Sequence, residues 1–271
     1  MKYTYTEHEL RGVFCEALDL FNECLDTSIT KENTILAFFV PSNGKEVYEK
    51  LCREYFPKSL SEPYWKDGFF DTFAAQAFVG EEKNGILIRA DIDFSLADVH
   101  YTMLHEISHI YCTRNEIECG NFFERYCMGH GEEDGMINAG YAIWREAVAD
   151  IMASSVLSET TGVSLFDIRK AVMELNAMVS ADNPDSKLCM SLLIACIMNT
   201  REVAGTENWS IAEKAIKRAC SFDDPMMYYI MELVFRNLHE SPFWKITRDF
   251  ISELGQAYLS LLAFRKVAFL S

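Results

Sequence analysis

Tyr101-Thr102-Met103-Leu104-His105-Glu106-Ile107-Ser108-His109-Ile110-Tyr111 is the stretch that decides how this chain is read. Two histidines four residues apart lie one turn apart on the same face of an α-helix. Their imidazoles can therefore reach a single metal ion. Glu106, beside the first histidine, borders such an ion without having to bind it, and it can take a proton from a metal-activated water. Around the motif, Leu96, Val99, Met103, Ile107 and Ile110 form one apolar row. The spacing predicts a helix over 96–111, with one side in a core and the other presenting His105 and His109. Ser95 followed by Asp98 predicts its N-cap.

A catalytic zinc site takes three protein ligands and keeps a fourth position open. A third histidine on the same segment would require glycine at 112 and histidine at 115. Those positions are Cys112 and Asn115. The best candidate lies instead in Trp144-Arg145-Glu146-Ala147-Val148-Ala149-Asp150, where Glu146 follows His109 after 36 residues, room for a loop and a return helix. Asp150, one turn further on the same face, is placed to accept the free ring N–H of a ligating histidine. Small and apolar residues surround this acidic pair, which needs a partner to be tolerated there. Cys112 is the competing third ligand. It ranks lower because ligands at i, i+4 and i+7 of one helix spread over about 10 Å of rise.

Taken together, Gly85–Asp91, Tyr101–His109 and Glu146–Asp150 resemble the gluzincin metallopeptidases, and most of all the ImmA/IrrE-type group. The resemblance covers roughly residues 85–155. It implies His105, His109 and Glu146 as zinc ligands, Glu106 as general base and Asp150 as the residue that orients a ligand. It further implies that 86–92 is an edge strand along which a peptide or protein substrate lies, by β-augmentation. The function so implied is zinc-dependent hydrolysis of peptide bonds. The alternative is a catalytically silent, zincin-like metal-binding protein with a regulatory or interaction role. The intact Glu106 argues against it, since a structural metal site has no use for a general base. A donor to the developing oxyanion is also needed. Tyr141, Tyr228, Tyr229, His130 and His239 are the candidates, and nothing in the sequence separates them.

Working outward, Glu7–Leu25 reads as a helix, Thr34–Val40 as a strand stopped by Pro41, and Lys45–Tyr55 as a helix. Phe69–Val79 and Ile86–Ile92 read as two strands joined by a turn that includes Asn84-Gly85. Beyond the motif nearly everything is helical: Ala139–Ser158, Ser164–Ala177, Lys187–Thr200, Ile211–Cys220, Met226–Leu238 and Ile246–Phe264. Ser164 with Asp167, and Ser210 with Glu213, predict capping boxes. The exception is Glu116–Gly135, with six acidic residues, one basic residue and four glycines, which reads as an irregular loop serving as lid or specificity element. The expected class is α+β and zincin-like: a small mixed or antiparallel sheet with an active-site helix, then a mostly helical C-terminal half. We expect one unit over 1–271, made of 1–95, the zinc-site helices 96–158 and a helical 159–271.

Composition narrows the setting. Lys+Arg 25 against Asp+Glu 41 leaves a net charge of −16, which repels phosphate backbones and makes nucleic acid a poor partner. The longest uncharged run, Leu188–Thr200, is 13 residues, too short to cross a bilayer, and the first eight residues lack a signal-peptide core. Nine cysteines, with no C-x-x-C pair, read as reduced, mostly core residues of a cytoplasmic protein.

Overall fold

In the computed structural model, Asn84–Arg89 (β3) is the central strand of a three-stranded mixed sheet, flanked by Thr34–Phe39 (β1) and Ala75–Val79 (β2). The structure describes residues 5–25, 27–57, 68–72, 74–117, 122–129, 131–161, 167–181, 183, 186–220, 224–240 and 245–270. β1 runs parallel to β3, from Thr34 opposite Asn84 to Phe39 opposite Arg89. β2 is antiparallel to it, with Ala77 opposite Ile86. β3 is buried along nearly its whole length, which fits the unbroken apolar run Ile86–Ile88 at its centre rather than an alternating pattern. The expectation of an edge strand at 86–92 is therefore overturned. Both hydrogen-bonding sides of β3 are taken, and the edges are β1 and β2.

The chain divides into two compact units, residues 1–114 with 156–162 and residues 115–155 with 163–271. In the first unit, Glu7–Cys24 (α1) opens with a capping box between Thr6 and Glu9 and buries Leu10, Phe14, Leu18 and Phe21. Gly44–Tyr55 (α2) covers one face of the sheet, where Tyr48, Leu51 and Cys52 join Phe39, Phe56, Phe78 and Leu87 in one core. A single helical turn, Phe69–Thr72 (α3), precedes β2 where the sequence reads as strand from Phe69 onward. Leu96–Arg114 (α4) packs against α1 and β2.

The β2–β3 connection also differs from expectation. Gly80 donates its N–H to the Lys83 carbonyl at 2.8 Å, so the turn closes before Asn84-Gly85, which already belongs to β3. Burial explains the displacement. Asn84 is 1% exposed and accepts from the Arg114 guanidinium at 2.9 and 3.0 Å, while Arg114 also reaches the Glu81 carbonyl at 3.0 Å. The last residue of the motif helix thus clamps the hairpin turn. A Cβ on Gly85 would meet the Phe56 ring at 2.6 Å, so glycine is required there by close packing, not by a turn.

The second unit is helical: Phe122–Tyr126 (α5), Glu132–Thr161 (α6, whose last turn belongs to the first unit), Ile168–Ser180 (α7), Ser186–Met198 (α8), Arg201–Ala204 (α9), Trp209–Cys220 (α10), Pro225–Glu240 (α11) and Arg248–Leu270 (α12). The expected irregular stretch 116–135 is thereby interrupted, since α5 lies inside it and α6 starts at Glu132, carrying Gly135 within the helix. Caps shift likewise. Asp167 itself caps α7, accepting from the Arg169 N–H, while Ser164 lies outside the described residues. Asn208, not Ser210, accepts at the start of α10. α8 is mostly apolar and buries Met190, Leu193, Ile194 and Ile197. α6 and α12 cross at Gly140 and Gly255. A Cβ on Gly140 would sit 2.0 Å from the Ile251 carbonyl oxygen, and one on Gly255 would sit 1.9 Å from that of Met136.

Eight cysteines are described, none of them in a disulfide among the described residues; four are buried and four partly exposed, so fewer are core residues than their apolar context suggests. Among the described residues, no helix is long and apolar enough to cross a membrane.

Candidate metal centre

The site begins with the capping of α4. The Ser95 N–H and hydroxyl both donate to Asp98 Oδ2, at 3.0 and 2.7 Å, and the Asp98 N–H returns a bond to the Ser95 hydroxyl at 3.3 Å. This fixes the helix start, and with it the rotation of every later side chain. Val99, Met103, Leu104, Ile107 and Ile110 are buried, as their spacing requires, but Leu96 is 56% exposed, so the apolar row begins one turn later than expected. Ser108, inside the motif, is satisfied by donating to the Leu104 carbonyl at 2.7 Å.

The rotation brings His105 and His109 together. Their Nε2 atoms lie 3.1 Å apart, with ring centroids 4.7 Å apart and ring planes at 85°. His109 is 4% exposed and Glu106 6%. Burial of two such polar side chains requires that they be occupied by partners or by an ion. His105, His109 and Glu146 form a group that could hold a metal ion, with one ligand atom from each lying within 4.8 Å of the others. Cys112, the competing ligand, is buried on α4 but does not join this group.

Glu146 and Asp150 are separated by one turn of α6, as expected for a pair sharing a face. Asp150 is buried, and its negative charge adds to burial in pushing the Cys196 thiol up to about 12. The helix between them is held in the second unit by Trp144, fully buried, whose indole N–H donates to Asn237 Oδ1 at 3.2 Å.

Glu146 also borders a cavity of about 360 Å³ in the helical unit, together with Phe123, Tyr141, Arg145, Lys187 and Leu188. Of the four candidate oxyanion donors among the described residues, Tyr141 alone lines this cavity. Its ring stacks on Phe122 with centroids 5.3 Å apart and planes at 17°. Tyr228, Tyr229 and His239 sit on α11 and are occupied there. Lys217 Nζ lies 4.9 Å from the Tyr228 ring centroid, Tyr229 donates its hydroxyl to Glu253, and His239 packs 4.3 Å from Phe235. The Glu253 bond also holds the Tyr229 phenol above its ordinary value. His130 lies outside the described residues. Arg145 and Lys187 were not among the expected site residues. Arg145 was visible only as the neighbour of Glu146, and Lys187 carried no sequence signal.

Comparison with protein-family models, curated proteins and solved structures finds no match to this chain.

Proposed function

We propose that this protein is a zinc-dependent hydrolase of peptide bonds, of the gluzincin kind that its sequence resembles. The observation that carries the reading is the grouping of His105, His109 and Glu146 beside the buried Glu106. Two imidazole nitrogens and one carboxylate oxygen are the donor set of a catalytic rather than a structural zinc site, because they leave the fourth position for water or substrate. The spacing fits as well. Two nitrogens each about 2.0–2.1 Å from a tetrahedral zinc stand about 3.3 Å apart, and the Nε2 atoms of His105 and His109 stand 3.1 Å apart.

Bound there, zinc would supply a water that ionises near neutral pH and a Lewis acid for the scissile carbonyl. The protein does the rest. Glu106, buried and next to His105 in the chain, accepts the proton of that water and later delivers it to the leaving amine. Asp150 takes the free ring N–H of a ligating histidine and holds its tautomer. Tyr141, lining the cavity that Glu146 borders, is the favoured donor to the oxyanion. An extended substrate would add not to β3 but to the edge strand β2, which packs against α4.

The test pairs metal analysis with a Glu106→Gln variant. Wild type should hold one zinc per chain and cleave members of a broad peptide library, and the variant should keep its zinc while cleavage falls by about 100- to 10,000-fold. A wild-type chain without zinc, or one no more active than the variant, overturns the reading.

A further inference from the structure

The cavity bordered by Glu146 indicates what such a substrate carries, an inference that rests on the hydrolase reading. In a chain of net charge −16, this cavity of about 360 Å³ has two cations on its wall, Arg145 and Lys187. Its one anion is Glu146, whose carboxylate lies 3.9 Å from the Arg145 guanidinium and belongs to the group that could hold a metal ion. With Glu146 committed to a metal, the cavity is left with an excess of positive charge. A guanidinium recognises a carboxylate through two parallel N–H bonds, and a lysine adds a point charge beside it. Phe123 and Leu188 are 48% and 52% exposed and border the same cavity. They provide apolar surface for a side chain attached to the group the cations hold. The volume is at the small end of the range for ligand pockets, about 300–1,000 Å³.

We infer that this cavity binds a carboxylate of the substrate through Arg145 and Lys187, with the adjoining side chain laid on Phe123 and Leu188. The substrate class is peptides that present a carboxylate close to the bond to be cleaved, either the C-terminal α-carboxylate or an acidic side chain.

The experiment uses the full chain carrying Glu106→Gln, so that ligands bind without turnover. Three probes are titrated calorimetrically: acetyl-phenylalanyl-leucine as the free acid, the same peptide as its C-terminal amide, and acetyl-phenylalanyl-glutamic acid α-amide. The free acid should bind at least about tenfold more tightly than the plain amide, and this preference should vanish in Lys187→Met and in Arg145→Gln. If the glutamyl amide instead binds tightly and the free acid does not, the carboxylate recognised is a side chain. If both bind tightly, the cavity accepts either. Equal binding of all three, or a preference that survives both substitutions, overturns the inference. Lys187 is partly exposed, so Lys187→Met decides the matter should the Arg145 variant fail to fold. The titration is repeated after chelation. A chain that holds no zinc and cleaves nothing sinks the hydrolase reading, whereas the carboxylate preference is scored separately by the same three probes.

Discussion

His105 and His109 place their Nε2 atoms 3.1 Å apart across one turn of α4. Two ring nitrogens at that separation share at most one proton comfortably, and a cation between them removes the conflict. Zinc added at about 100 times its dissociation constant should therefore stabilise the fold by about 2.7 kcal/mol. The gain should vanish with a chelator and should be absent in His109→Ala. Thermal unfolding with and without zinc measures it, and equal midpoints in all samples would show that the pair holds no metal.

Asp150 lies one turn from Glu146 and is buried. If it orients a ligating histidine, Asp150→Asn keeps the shape and loses the charge that fixes the ring. Zinc affinity should fall by about 10- to 100-fold. A competition titration against a chelating dye checks this, and an unchanged affinity removes Asp150 from the site.

The crossing of α6 and α12 depends on Gly140 and Gly255, each of which has a backbone carbonyl where a Cβ would go. Gly140→Ala should push the helices apart at a cost of about 1–3 kcal/mol, despite alanine's better helix propensity. Gly135, also inside α6, has nothing within 4 Å of an added Cβ. Gly135→Ala should therefore be neutral or stabilising by about 0.5–1 kcal/mol. Urea unfolding of the two variants separates packing from propensity; equal effects would show that the crossing has room for a Cβ.

Burial holds the Cys196 and Cys220 thiols up at about 12, against an ordinary 9.0. Below pH 9 both thiols are protonated in the folded and the unfolded chain, and stability is at its full value. Between pH 9 and 12 the unfolded chain releases these protons while the folded chain keeps them. The unfolded state then binds fewer protons, so stability falls as pH rises. The urea midpoint should drop between pH 8 and pH 10.5, and drop less in a Cys196→Ala, Cys220→Ala double variant. Parallel slopes for the two proteins would show that these thiols do not carry the effect.

Much of the molecule could be read locally because its causes are local. The Ser95–Asp98 cap, the apolar spacing of Val99, Met103, Ile107 and Ile110, and the placement of His105 and His109 on one face follow from 3.6 residues per turn. The strand at Thr34, the helix at Glu7 and the helical second half follow from periodicity in the same way.

The errors share a different origin. Asn84-Gly85 has the composition of a turn, yet it lies in β3 because Arg114, thirty residues away, supplies the buried Asn84 with hydrogen-bond partners. An apolar run such as Ile86–Ile88 is compatible with an edge or a centre, and only the pairing of β1 and β2 on its two sides decides for the centre.

The sequence by itself determined the chemistry of the motif: which residue types stand one turn apart, and that the helix bearing them buries its other face. It also singled out Glu146 as the candidate third ligand, while tertiary structure alone decided that the cavity bordered by Glu146 is walled by Arg145 and Lys187. Spacing along one helix is set by backbone geometry, whereas groupings between segments far apart in the chain are set by how apolar faces pack, which no local pattern records.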